Sequence, residues 1–165
     1  MAKHNDDTDT SVEALLRTKI EDVKEPTQLP SGEWELRCGG ASYKSNENFD
    51  ADLPPDSFSN PRGSVYFSFV PVKPVANVEP DAVADGAWRG RRLGKYIGIA
   101  GNDELYEIGK IVGALGIGLE GRDYIDALTL CKNRTVKASV GLRTFKRRTG
   151  EVAKENTLSD FAPMG

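Results

Sequence analysis

Between Lys132 and Lys154 the sequence KNRTVKASVGLRTFKRRTGEVAK admits one simple local structure, two antiparallel strands joined by a turn. Val136, Ala138, Val140 and Leu142 alternate with Lys137, Ser139, Gly141 and Arg143, the two-residue period of a strand with one face buried. Phe145, Lys146, Arg147, Arg148, Thr149 and Gly150 follow, and a second alternating run starts near Glu151. Eight Lys and Arg in this segment face the single acid Glu151, a local charge of +7 in a chain whose total is -3. A basic ribbon on an acidic protein is a localised electrostatic footprint, and a phosphate backbone is a common polyanionic partner for one. The competing reading is an edge hairpin that uses cations to discourage aggregation.

Charge divides the rest of the chain. Residues 1–30 carry four basic and seven acidic groups, residues 31–87 four and nine, and residues 88–165 fourteen and nine. An acidic front and a basic back can steer a polyanion to one side of the molecule, which the overall acidity conceals. With 165 residues, the chain divides into an acidic, flexible segment over 1–28 carrying a short helix, and one domain over 29–163. Cys38 and Cys131 lie far apart, form no metal-ligand spacing and fit a reduced environment. No apolar run approaches the roughly 20 residues of a membrane span, and the N-terminus lacks the apolar core of a signal peptide.

Ser11 to Val23 is expected to form the short helix, capped by Thr10 or Ser11, with Val12, Leu15, Leu16 and Ile20 on one face. Strands are expected over Glu33–Tyr43, Ser64–Val72 and Leu93–Ala100, with long polar loops over Lys44–Gly63 and Pro74–Trp88. A helix starts at Asn102 or Asp103, with Leu105, Ile108, Val112 and Leu115 on one face, and a shorter one covers Asp123–Leu130. The basic hairpin supplies the last two strands. The fold class is therefore mainly β with one or two helices. Strand, strand, strand, helix, strand, strand is the order of a five-stranded OB-like barrel with a helix between strands 3 and 4. In such a barrel Lys44–Gly63 and Phe145–Gly150 would flank the ligand groove.

Binding single strands without sequence choice takes cations along the phosphates and aromatic faces for the bases. The candidate cations are Arg89, Arg91, Arg92, Lys95, Lys137, Arg143, Lys146, Arg147 and Arg148. Parity on the second strand sends Phe67 and Phe69 inward and Tyr66 outward. Tyr66, Trp88, Tyr96 and Phe145 are the candidate stacking residues; a core role competes for each, and Trp34 and Trp88 also read as core anchors. Around Gly90 the sequence WRGRRL reads either as a close approach to phosphate or as a turn with solvated arginines.

Catalysis finds little support. His4 is the single histidine, no nucleophile and base are paired, and neither a phosphate-loop nor a dinucleotide fingerprint is met at Gly98–Asp103. Asp50, Asp52 and Asp56 read as a solvated loop more readily than a loose cation site. No enzyme activity, cofactor or metal is expected.

Several segments together, LPSGEWELRCGGASYKSN, SVYFSFVPV, GAWRGRRL, GKIVGALGI and NRTVKASVGLRTFKRRTGEVAKENTLSDFAP, resemble a family of small phage-encoded proteins of formerly unknown function, often labelled single-stranded DNA-binding. The resemblance runs from about Leu29 to Pro163. Arg89, Gly90 and Arg91 match its "kGr" element, and Asn156, Leu158 and Phe161 match its closing pattern. It implies a protein of the infected bacterial cytoplasm that coats single-stranded DNA in replication or recombination, alone or as a homo-oligomer, beside other phage replication or recombination proteins and with no membrane partner. The sequence ends DFAPMG, with one acid, which departs from the acidic tail that bacterial single-strand-binding proteins use to recruit partners. A different class also fits the residues: a phage structural or assembly protein whose acidic front meets the basic hairpin of the next copy.

Overall fold

The computed structural model describes residues 12–22 and 28–164. The expected flexible stretch Met1–Thr10 and the Ser11 cap lie outside the described residues. In chain order the elements are α1 (Val12–Leu16), a 3-10 turn (Ile20–Asp22), β1 (Gly32–Ser45), β2 (Gly63–Ala76), α2 (Pro80–Val83), β3 (Leu93–Ile99), α3 (Asn102–Ala114), α4 (Tyr124–Thr129), β4 (Thr135–Lys146) and β5 (Val152–Ala162). The strands form one antiparallel sheet in the order β3-β2-β1-β4-β5, and the fold is mainly β with few helices. The helix expected over Ser11–Val23 breaks after Leu16, and its apolar residues Val12, Leu15, Leu16 and Ile20 are all exposed.

Alternation fixes which face is buried. Trp34, Leu36 and Cys38 of β1, Val65, Phe67 and Phe69 of β2, Leu93 and Ile97 of β3, and Val136, Ala138 and Val140 of β4 all point into one core. Phe67 stacks on Phe69 at 6.2 Å, Phe69 tilts against Phe161 at 5.7 Å, and Trp34 meets Trp88 edge-on at 5.1 Å. Each such aromatic pair adds about 0.5–1.5 kcal/mol beyond its buried area. Helix α3 closes one end with Ile108, Ile111 and Val112, and α4 adds Ala127 and Leu128. Glu104 holds the start of α3 by accepting from Ala100 N (2.7 Å) and Gly101 N (2.9 Å). Asp123 does the same for α4, accepting from Asp126 N at 2.8 Å.

The sheet is open. Among the described residues no ladder joins β3 to β5, so the expected barrel is a curled five-stranded sheet with a gap between its edges. One side chain crosses that gap. Lys95 of β3 donates to the Leu158 carbonyl of β5 at 3.3 Å. Leu29, fully buried, is held by Asn156, whose amide accepts from Leu29 N (2.8 Å) and donates to Leu29 O (2.9 Å) and Gly141 O (3.1 Å).

The last hairpin outgrows the body. Strand β4 pairs with β1 from Thr135 to Val140, whereas its pairing with β5 runs on to Lys146 and Val152. Gly141–Lys146 and Val152–Thr157 therefore project as a two-stranded arm. Leu142, placed on the buried face by alternation, is 43% exposed because the core ends one residue pair earlier.

Candidate nucleic-acid interface

On the outer face of β2 and β3, Tyr66 stands directly opposite Tyr96 in the ladder, and Ser68 opposite Gly94. Tyr66 lies across Gly94: a Cβ built on that glycine would come within 2.6 Å of Tyr66 Cε2 and 2.8 Å of Cζ. The missing side chain is what lets the phenol ring lie flat over β3. Tyr66 is 45% and Tyr96 61% exposed, while Phe67 and Phe69 are fully buried, so the expected parity of β2 holds.

One open cleft of about 340 Å³ gathers Tyr66, Tyr96, Arg91 and Arg92, and Gln28, Glu155 and Asn156 line it too. Four of the thirteen expected site residues thus meet in one place. Arg91 donates through Nη2 to Gln28 Oε1 at 3.2 Å, which fixes the guanidinium at the cleft wall. Its buried Nε has no hydrogen-bond partner among the described residues. The base of the arm borders the same cleft, since Glu155 lines it and pairs across the strands with Arg143. Lys146, Arg147 and Arg148 crown the arm, where Arg147 N donates to Glu151 O (2.8 Å) and Gly150 N to Arg147 O (2.9 Å). Gly150 closes this turn at φ +90°, a conformation that suits glycine. Phe145, 37% exposed, also stands on the arm.

Other expected residues are placed elsewhere. Trp88 is 8% exposed, its indole donating to the Val83 carbonyl at 3.2 Å, and its edge-on contact with Trp34 leaves no free face for a base. Arg89 covers that buried ring, its guanidinium 5.0 Å from the centroid. Gly90 sits at φ +77° in the turn closed by Arg91 N to Trp88 O, so a turn requires this glycine. Lys95 shares the core-facing parity of Leu93 and Ile97 and pairs with Glu107 at 3.5 Å as well as with the Leu158 carbonyl. It faces away from Tyr96 and reaches across the gap between β3 and β5. Lys137 lies opposite Glu35, seven residues along β1 from the Ser42 that faces Tyr66, or roughly 20 Å of strand. It belongs to a different part of the sheet.

The loop between β1 and β2 adds what periodicity could not reveal. Asn60, 6% exposed, accepts from Asp50 N (3.0 Å) and donates to the carbonyl of Asp50 (2.9 Å). Asp56 accepts from Phe58 N and Ser59 N, both at 2.8 Å, and these bonds hold its carboxyl below the ordinary carboxylate range. The acids of this loop build turns, and the described residues contain no cluster of His, Cys, Asp or Glu suited to a metal. In LGKYIGI, glycines flanking Tyr96 on one face are the signal that something lies flat on β3. The two cysteines are buried and unbridged, and among the described residues no helix is long and apolar enough to cross a membrane. The chain matches no protein-family model and no curated protein.

Proposed function

We propose that this protein binds single-stranded DNA along the outer face of β2 and β3, without strong sequence choice, in the manner of an OB-type module. The observation that carries the reading is the convergence of two exposed tyrosine rings with Arg91 and Arg92 in one open cleft at the foot of a basic arm. Rings supply faces for bases of any identity, and arginines and lysines supply phosphate contacts. The strand order β3-β2-β1-β4-β5, with helices inserted between β3 and β4, supports the OB reading, as do the links that Lys95 and Asn156 make near the unpaired edges. The resemblance to phage single-strand-binding proteins points the same way and suggests a role in phage replication or recombination.

A second reading, a subunit of a phage assembly, is favoured by Leu119, Ile125 and Leu130, which stand exposed on the helical side.

Competition binding separates the two. A labelled oligo-dT of about thirty bases should bind and should resist displacement by duplex DNA. Arg91→Ala combined with Arg92→Ala should weaken binding, and so should Tyr96→Ala. Equal displacement by duplex, or affinity indifferent to all three changes, would overturn the reading.

A further inference from the structure

We propose that Phe58, in the Asp56–Asn60 turn of the β1–β2 loop, is a third base-stacking platform that takes the nucleotide next to the one on Tyr96. The inference rests on the single-strand reading of the β2–β3 face. Phe58 is 95% exposed, yet its backbone is held. Its amide donates to Asp56, Asp56 and Asn60 exchange backbone hydrogen bonds at 3.0 and 3.1 Å, and Asn60 ties the loop to Asp50. The loop also leans on the sheet. A Cβ on Gly98 would lie 3.1 Å from Ser57 C and 3.4 Å from Pro61 Cβ, and closer still to the Ser57 carbonyl oxygen. A ring presented to water by a braced loop is pre-organised for contact, so little ordering entropy opposes stacking on it.

Position along β3 makes the case specific. The outward residues of this strand are Gly94, Tyr96 and Gly98; Tyr66 lies over the first and Ser57, next to Phe58, over the last. Phe58 and Tyr96 line one cleft, and Tyr96 and Tyr66 line the adjoining one. Successive outward positions on a strand are about 6.7 Å apart. That is twice the rise of about 3.4 Å per base in a stacked strand. A single strand following the three rings is therefore stretched, and each base leaves its neighbour for a ring. The carboxylates in the Phe58 cleft are engaged: Glu107 pairs with Lys95, and Glu104 accepts from the Ala100 and Gly101 amides.

The test uses oligo-dT of graded length with the full chain, read by fluorescence anisotropy. Phe58→Ala should weaken long oligomers by about 5- to 150-fold, the usual effect of losing one stacked base. The shortest oligomers, which engage Tyr66 and Tyr96 alone, should bind it like wild type. Phe58→Trp should retain affinity, and its indole emission should be quenched by bound DNA. The thermal midpoint of Phe58→Ala should match wild type, because the ring touches solvent. If Tyr96→Ala weakens binding while Phe58→Ala stays within twofold at every length, the Phe58 proposal falls and the wider reading stands. If wild type binds no oligomer, both fall.

Discussion

Gly94→Ala puts the geometry of the cleft to a direct test. The new methyl would stand 2.6 and 2.8 Å from two Tyr66 ring atoms, where carbon atoms settle at about 3.5–4.0 Å, so the ring has to retreat by about 1 Å or swing away. The atoms in the way are the far end of a side chain that is 45% exposed, and rotation into water is open to it. Stability should therefore fall by less than the 1–3 kcal/mol typical of overpacking in a closed core, about 1 kcal/mol or below. Binding should suffer more. If Tyr66 carries one base, displacing its ring forfeits about 1–3 kcal/mol, or about 5- to 150-fold in Kd. The assay is urea unfolding beside oligo-dT anisotropy for wild type, Gly94→Ala, Tyr66→Ala and the double variant. Because both single changes remove the same seated ring, the double variant should bind no worse than Tyr66→Ala, a coupling as large as the single effect. Additive losses would refute the reasoning, since they would mean that Gly94 acts by a route other than Tyr66.

Asn156→Ala removes three hydrogen bonds and leaves the Leu29 amide and carbonyl unpaired, so chemical denaturation should show a loss of about 2–4 kcal/mol. Burial, and then the neighbouring Cys38, push the Cys131 thiol up to about 12, and burial raises Cys38 as well. Unfolded thiols ionise near pH 9 while the folded ones keep their protons. Stability is thus intact below pH 9 and falls as pH rises towards 12, by up to about 1.4 kcal/mol per pH unit from Cys131; Cys131→Val should flatten that limb in a pH series of unfolding curves. Both thiols should also resist a thiol reagent at neutral pH until the chain unfolds. Asn60→Ala should open the β1–β2 loop, read as faster amide exchange at Asp50 and Asn60 with the sheet amides unchanged.

Most of the fold was legible because period-2 alternation survives wherever a strand has one wet face. Trp34, Leu36 and Cys38, or Val136, Ala138 and Val140, announce both strand and inward face. The outward direction of Tyr66 followed from the same parity. Alternation says nothing about where a neighbouring strand stops, so Leu142 was assigned to a core that ends at Val140. Lys95 looked like one more cation of a basic run. Its partners Glu107 and Leu158 are distant in sequence, and only the fold shows that it reaches across the gap between β3 and β5. Trp88 sits beside three arginines in sequence, but a large ring beside Trp34 gains more from burial than from display. Phe58 belongs to a loop without period, and its exposure becomes meaningful once Asn60 and Gly98 are seen to brace that loop.

The arm offers the most direct measurement of the central claim. Anisotropy of a labelled oligo-dT would be followed across a salt series for wild type and for the variant in which Lys146, Arg147 and Arg148 are all Ala. Each phosphate contact on a single strand adds about 0.7 to the slope of log affinity against log salt. The account predicts a steep negative slope for wild type and a slope shallower by about 2 for the variant, with weaker binding at low salt. Wild type that fails to bind at low salt, or a variant with an unchanged slope, would contradict it.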